Sequence, residues 1–576
     1  MPGAADFVQR TVHGLEEGVG AKWVKIALTV FAILALSIFY LVHEFKGFAT
    51  SQAMDQAQIG RNLARGEGFR TQMIRPLAVG QLEAHGKNVA EKIWYDTYNA
   101  PLPPLVDAIA LKPFKSSWAM TPKDIIYPAE KILVGLQVLL LLGSVVILYF
   151  LATLLFDDRL AVLAAWLVLL CDALWRYSIS GLPQMLMLFL FNGTLYLLVR
   201  AMMAQTGGGR VGLWLALAGV GFGLLALSHA LTIWIFLGAF IFCIFHFRPR
   251  FWAAVIMLAA FAIIYSPWLV RNYAVCGNPG GVAIYSVLDG INHPEAGHMR
   301  RVELDLADVG LGHFKNKFTG NTVSQIGLLL QYFGWSFVAL MFFAGLLHIF
   351  RKPETAAMRW LVLCMWGFAF IGMSIYGLSE ELGFAANQLH LLFVPIMTCY
   401  GLAYLLVQWN RLEIEFRLAR IGFLTLLFLI CSVPIAFTFL TPTTRTIRWP
   451  PYVPPYISVL NAWMKPNEII ASDMPWAISW YADRKSLWLP DTIHAFNEFN
   501  DYNTFGAPVN GLYLTPISGS QNRLGDILKG EYRDWAGVIT RNIDLQKFPL
   551  KWATLLGLEN ECVFFSDHDR QRIAVP

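Results

Sequence analysis

The chain has 576 residues, of which 56% are hydrophobic and only 14% charged. That balance excludes an ordinary water-soluble protein and points to a polytopic membrane protein. The formal net charge of +5 is small for this length and gives no reason to expect a nucleic-acid partner.

The N-terminal stretch Met1–Lys25 carries mixed charge, and the apolar run after it has no small-residue cleavage signature. It reads as a retained first helix rather than a removed leader. Apolar stretches follow near 23–43, 131–156, 159–177, 182–203, 211–228, 230–247, 251–270, 326–350, 358–378, 388–408 and 418–440. They predict about eleven helices near the ~20 residues that a bilayer requires. The pair 211–228 and 230–247, joined at Ser228-His229, also fits a re-entrant hairpin.

Short loops fix the expected orientation. One set carries Asp157-Asp158-Arg159, Arg200 to Arg210, Arg248-Pro249-Arg250, Arg351 to Arg359 and Arg411 to Arg420; the opposite set, around Ser178–Leu182, His229 and Ser379–Asn387, has no Lys or Arg. The positive-inside rule puts the first set in the cytoplasm. Residues 1–440 then form a transmembrane domain, with outer loops at 44–130 and 271–325. Residues 441–576 form an outer soluble domain, which for a bacterial inner-membrane protein is periplasmic. In it, β-like runs at Ile469–Ser472, Ser486–Leu489, Gly511–Thr515, Ala536–Thr540 and Cys562–Ser566 alternate with helix-like polar runs, which predicts a small α/β domain. Thr441–Pro455 reads as its proline-rich linker.

Five of seven cysteines lie in apolar segments and read as small core residues. Cys276 and Cys562 lie outside them and could pair. No CxxC or Cys/His metal spacing occurs.

The first outer loop opens with Met54 to Phe69. As a helix it places Asp55, Gln58, Asn62 and Arg65 on one side, and Gly66 and Gly68 end it. An acid is thus set beside the membrane but outside the lipid. That position suits sugar transfer from a polyprenyl-phosphate donor, whose chain stays in the bilayer while its sugar phosphate lies at the surface. The acceptor hydroxyl must lose a proton, for which a carboxylate serves as general base. The leaving phosphate needs a cation. Arg271, Arg61, Arg75 and His390 are the candidates for it, and Gln58, Asn62, Asp96, Tyr98 and Gln184 the candidates for substrate contacts. Each has a plainer reading: Arg271 as an interfacial anchor beside Trp268, a lone His as a satisfied polar residue.

The order of parts resembles the membrane-embedded GT-C glycosyltransferases, in the branch that includes protein O-mannosyltransferases and the lipid A aminoarabinose transferase. Asp55 to Phe69 is similar to their first-loop motif. Ser266-Pro267-Trp268-Leu269-Val270-Arg271-Asn272 is similar to the Pro-Trp-x-x-Arg-Asn motif after the seventh helix. Gln388 to Pro395 resembles the start of a late helix, and Asp473 to Arg484 with Leu489-Pro490 the outer domain of bacterial members. The resemblance implies an inverting displacement with Asp55 as base. It departs where Gln56 and Gln184 replace acids and where His390 replaces the usual Arg, which weakens a metal bridged by two acids while leaving a divalent metal open. The acceptor is left as a lipid, glycan or protein. A transporter or flippase of a lipid-linked precursor and a non-catalytic membrane scaffold are the alternatives, although no half-repeat or mid-membrane charge supports transport.

Overall fold

A computed structural model describes residues 19–87, 94–291, 297–304, 306, 309–381, 383–414, 416–441, 453–519, 524–529, 532–540, 548–556 and 562–570. Most of the expected linker 441–455 lies outside them.

Residues up to Lys46 form one compact unit. It holds α1 (Val19–Ile38), continued by a π-helical turn over Phe39–Glu44. Trp23, Leu28 and Phe31 are more than half exposed, as a helix facing lipid requires.

In the second unit, the chain runs through α2 (Ser51–Arg65), α3 (Pro76–Ala84) and α4 (Leu102–Leu111) before α5 (Pro128–Leu155), α6 (Asp158–Leu169), α7 (Asp172–Ser178), α8 (Gln184–Gly207), α9 (Val211–Ser228), α10 (Thr232–His246) and α11 (Arg250–Cys276). The later helices are α12 (Leu311–Gly327), α13 (Leu329–Tyr332), α14 (Phe337–Gly345), α15 (Pro353–Tyr376), α16 (His390–Arg411) and α17 (Arg417–Leu440). Among the described residues eight helices are long and apolar enough to cross a membrane, or nine if α6 and α7, bent by 60° at their junction, form one span. The chain is a polytopic helical membrane protein.

Two of the eleven expected stretches do not form single long helices, for local reasons. The stretch 326–350 is not one helix: Gly334 and Trp335 both take positive φ, 64° and 60°, which ends α13, and Ser336 then caps α14 by accepting from the Ala339 N–H at 3.3 Å. A left-handed pair of residues cannot continue an α-helix. The stretch 230–247 contains only α10, which spans 15 residues.

Outside the helices stands a six-stranded sheet, in the order β1-β5-β4-β6-β8-β7. Four neighbours, β1 (Met73–Ile74), β5 (Lys485–Trp488), β4 (Ile469–Ser472) and β6 (Val509–Leu514), run parallel; β8 (Val563–Ser566) and β7 (Trp552–Leu555) complete it antiparallel. Strands were expected at four of these places. Ala536–Thr540 is instead a short helix. The edge strand β1 comes from the first loop, so the sheet reaches beyond 441–576. Two residues give no alternation to read in the sequence. A small antiparallel hairpin, β2 (Glu380–Glu381) with β3 (Phe384–Ala385), stands apart.

α2 shows how local sequence positions the site. Thr50 caps its start, its hydroxyl accepting from Ala53 N–H at 3.4 Å, and Gly66 closes it at φ 83°. Gly60 lets α4 approach: a Cβ there would lie 2.8 Å from the Asp107 Cβ and 3.1 Å from the Pro104 carbonyl. Gly60→Ala should therefore destabilise by about 1–3 kcal/mol of overpacking, read as a lowered midpoint in a thermal unfolding assay of the purified protein. An unchanged midpoint would mean that α4 yields freely.

Candidate functional site

Asp55 lies in the second turn of α2 and is only 2% exposed. Its Oδ2 accepts from Arg75 Nη2 at 2.6 Å and from Asn99 Nδ2 at 2.6 Å. Its Oδ1 has a single longer contact, from Gln58 Nε2 at 3.2 Å. One oxygen is thus fully engaged and the other retains accepting capacity.

Arg75 joins two acids. Its Nη1 lies 3.6 Å from Asp96 Oδ1, and its guanidinium covers the Tyr98 ring at 4.1 Å. Burial opposes its charge, but Asp55 and then Asp96 hold its pKa above the ordinary value. Asp96 accepts from the Asn99 and Tyr98 backbone N–H groups at 2.7 and 3.3 Å. Burial, reinforced by Asp55, pushes its carboxyl up to about 6. Like charges in a buried site repel each other, which favours a proton on one member.

A cavity of about 910 Å³ opens on this group. Asp55, Gln56, Arg75, Tyr98 and Asn99 line its polar floor. Ile233, Trp234, Leu237 and Tyr265 of α10 and α11 line an apolar part, and Asp473, Trp476, Trp488 and Ser518 of the sheet domain form another wall. The β2–β3 hairpin also borders it through Glu380, Glu381 and Phe384. Glu381 Oε2 accepts from the Ser51 N–H and hydroxyl, both at 2.8 Å, so an anion caps the N-terminus of α2 where the helix dipole favours it.

The remaining sequence candidates are placed elsewhere. Gln58 and Asn62 do not face the cavity. The Gln58 amide donates to Asp55 and, at 2.7 Å, to Thr71 Oγ1, while Asn62 donates to Gln58 and to the Arg70 carbonyl, so the two form a bonded chain behind Asp55. Arg61 is fully buried. It donates to the Trp480 and Ser479 carbonyls, each at 2.6 Å, and pairs with Asp483 at 2.9 Å. That guanidinium locks α2 to the sheet domain and is not free for phosphate. With Arg65 it holds the Asp483 carboxyl well below the ordinary range, against burial.

Arg271 was expected at the phosphate. Its guanidinium instead lies 4.8 Å from the Trp268 ring and 5.3 Å from the Phe69 ring. It donates to the Asp96 carbonyl, to Asn272 Oδ1 and to the Phe69 carbonyl. It supports the cavity wall from behind, holding the Asp96 backbone. His390 is buried in the bundle: Trp366 Nε1 donates to its Nδ1 at 3.1 Å, so the proton sits on Nε2, 3.1 Å from Gln325 Oε1. Gln184 donates to the Ala386 carbonyl at 2.9 Å and holds the β2–β3 hairpin. Asn99, with no sequence signal beyond its place in an aromatic, proline-rich run, is the contact that sequence reasoning missed. Cys276 and Cys562 are not joined in a disulfide.

A divalent metal does not fit between the two acids. The Arg75 guanidinium already stands there, at 2.6 Å from one carboxylate and 3.6 Å from the other, and the neighbouring Gln56 is neutral. Among the described residues no group of three His, Cys, Asp or Glu side chains could hold a metal.

No family model matches the chain, and no curated protein does. Solved structures do. ArnT from Cupriavidus metallidurans, bound to undecaprenyl phosphate, matches with a TM-score of 0.56 at 9% identity, over 96% of this chain and 99% of that one. The archaeal oligosaccharyltransferase AglB from Archaeoglobus fulgidus, in complex with an inhibitory peptide and a dolichol-phosphate, matches with a TM-score of 0.52 at 14% identity, over 87% of this chain and 70% of that one. At these identities the likeness is one of fold. Both neighbours are GT-C proteins, and the fold of this chain, matched to ArnT almost end to end, is the GT-C fold.

Proposed function

We propose that the protein is a membrane glycosyltransferase that moves a sugar from a polyprenyl-phosphate donor to an acceptor hydroxyl, with inversion and with Asp55 as general base. The observation that carries this reading is the cavity itself: a buried carboxylate with one lightly engaged oxygen lies at the floor of a space with an apolar part and a polar part. A polyprenyl phosphate is built the same way. Two of the structures that share the fold hold such lipids, undecaprenyl phosphate in ArnT and dolichol-phosphate in AglB.

The chemistry follows from the contacts. The acceptor oxygen attacks the anomeric carbon while its proton passes to Asp55 Oδ1. The bond from that carbon to the phosphate oxygen breaks, and the electron pair leaves on the phosphate. Among the described residues that line the cavity Arg75 is the one Lys or Arg, which makes it the candidate to meet that charge. Asn99 and Gln58 keep Asp55 oriented while the guanidinium shifts toward phosphate. A transporter would need a passage with alternating access; the paired acid, held by Arg75 and Asn99, favours surface chemistry.

The side of the membrane belongs to the same proposal, with the sheet domain and Asp55 in the periplasm. The test is a transfer assay with reconstituted protein and radiolabelled undecaprenyl-phosphate sugars, together with impermeant thiol labelling in intact cells. Asp501→Cys is expected to react and Arg351→Cys to stay silent. The reverse labelling pattern, or no release of undecaprenyl phosphate from any donor, would overturn the reading.

A further inference from the structure

We infer that the sheet-domain wall of the cavity is an acceptor subsite for an uncharged sugar ring, so that the acceptor is a glycan and the group attacked from is a sugar hydroxyl rather than a phosphate. The inference rests on the transferase reading above and deepens it.

Topology places the wall. β4 lies between β5 and β6, all parallel. The chain leaves β4 toward β5 on one side, whereas β6 lies on the other. The loops at the carboxyl ends of β4 and β6 therefore diverge, and in open parallel sheets ligands bind in the crevice at such a point. Here the crevice opens on the same cavity as Asp55. Asp473 and Trp476 follow β4, Trp488 ends β5 and Ser518 follows β6, and all of them line it. Asp473 ties the two diverging loops: its Oδ2 accepts from Thr515 Oγ1 at 2.8 Å and from Ser518 Oγ at 2.9 Å. The wall is therefore held in shape from beneath.

The side chains set the ligand class. Trp476 and Trp488 meet edge to face, with centroids 5.9 Å apart and planes at 86°. Two large apolar faces at a right angle form a corner for a rigid ring that is apolar on its faces and polar at its rim, as a pyranose is. Trp476 is nine-tenths buried, yet its indole N–H has no partner. A buried donor left unmade is unfavourable, and a ligand hydroxyl reached by a small ring rotation relieves it. Charge excludes the obvious competitor. The lining residues include Asp55, Asp289, Glu380, Glu381 and Asp473, against Arg75, which already faces Asp55 and Asp96. A second anion beside the donor phosphate would meet carboxylates with no further Lys or Arg among the described lining residues, and like-charge juxtaposition rejects wrong partners.

The experiment uses the full chain in nanodiscs. Octyl mannoside, galactoside and glucoside, and the phosphate ester of each, are titrated by saturation-transfer NMR, and undecaprenyl phosphate is titrated separately. At least one neutral glycoside is expected to bind at least about tenfold more tightly than its phosphate ester. Trp488→Ala is expected to weaken that glycoside by about tenfold or more while leaving undecaprenyl phosphate within about twofold. Equal or tighter binding of the phosphate esters overturns the proposal. So does a Trp488→Ala variant that binds glycoside like the parent, or one that loses glycoside and lipid alike, which would assign the corner to the donor or to the fold. Glycoside binding is read without donor, so its failure is distinct from the absence of donor turnover.

Discussion

Asp55→Asn is expected to insert, fold and bind donor like the parent while turnover collapses. The carboxamide keeps the shape and can still meet Gln58, but it has no basic oxygen, and a positioned base is worth typically about 10²–10⁴ in rate. Asp55→Glu should fail nearly as badly. Arg75 and Asn99 hold Oδ2 at 2.6 Å each, and a carboxylate pushed out by about one bond length would lose both contacts and its alignment. Asp96→Asn is the control. Asp96 is hydrogen-bonded within its own turn and is not among the residues that line the cavity, so substantial turnover should survive. Single-turnover assays on the three variants, with donor binding measured alongside, decide the matter. Near-parent turnover by Asp55→Asn with loss in Asp96→Asn would move the base to the Trp94–Pro104 run.

Arg75→Ala should be the most disruptive substitution in stability. It leaves Asp55 and Asp96 facing each other without a counter-ion, and removing one partner of a buried pair costs about 3–5 kcal/mol. Arg75→Lys should fold better but transfer poorly, because one ammonium cannot bridge two carboxylates as a planar fork does. The pH dependence has a defined sign. The Asp96 carboxyl is raised to about 6 in the folded chain from an ordinary value near 4. The folded state therefore holds a proton that the unfolded state has released, so this group's contribution to stability falls as pH rises from about 4 to about 6. Asp96→Asn should flatten the parent's loss of stability across that window. A thermal midpoint whose pH profile is identical in parent and Asp96→Asn would remove Asp96 from the pair.

The difference between α2 and its surroundings shows what a local reading reaches. The spacing of Asp55, Gln58, Asn62 and Arg65 and the stop at Gly66 are short-range signals, and both the helix and the acid upon it were legible from them. Strands β4, β5, β6 and β8 were legible because each is long enough to show its apolar run. Spacing could not distinguish a charge that faces a cavity from one consumed by a distant carbonyl. Arg61 and Arg75 look alike in sequence, yet the first meets Trp480 and Ser479 some four hundred residues onward, and the second meets Asp55 and Asp96.

The sequence by itself determined the membrane class, most of the spans and the helix that carries Asp55, because length, hydropathy and caps act over one or two turns. The tertiary structure alone decided which partners Arg271, Arg61 and His390 find, that Asn99 and Arg75 converge on one carboxylate oxygen, and that a two-residue strand from the first loop completes the distant sheet. Each of these depends on which partner a polar group finds when it is buried. That choice is made by packing across the whole chain, since a buried charge takes the nearest group that can satisfy it, however far away in sequence.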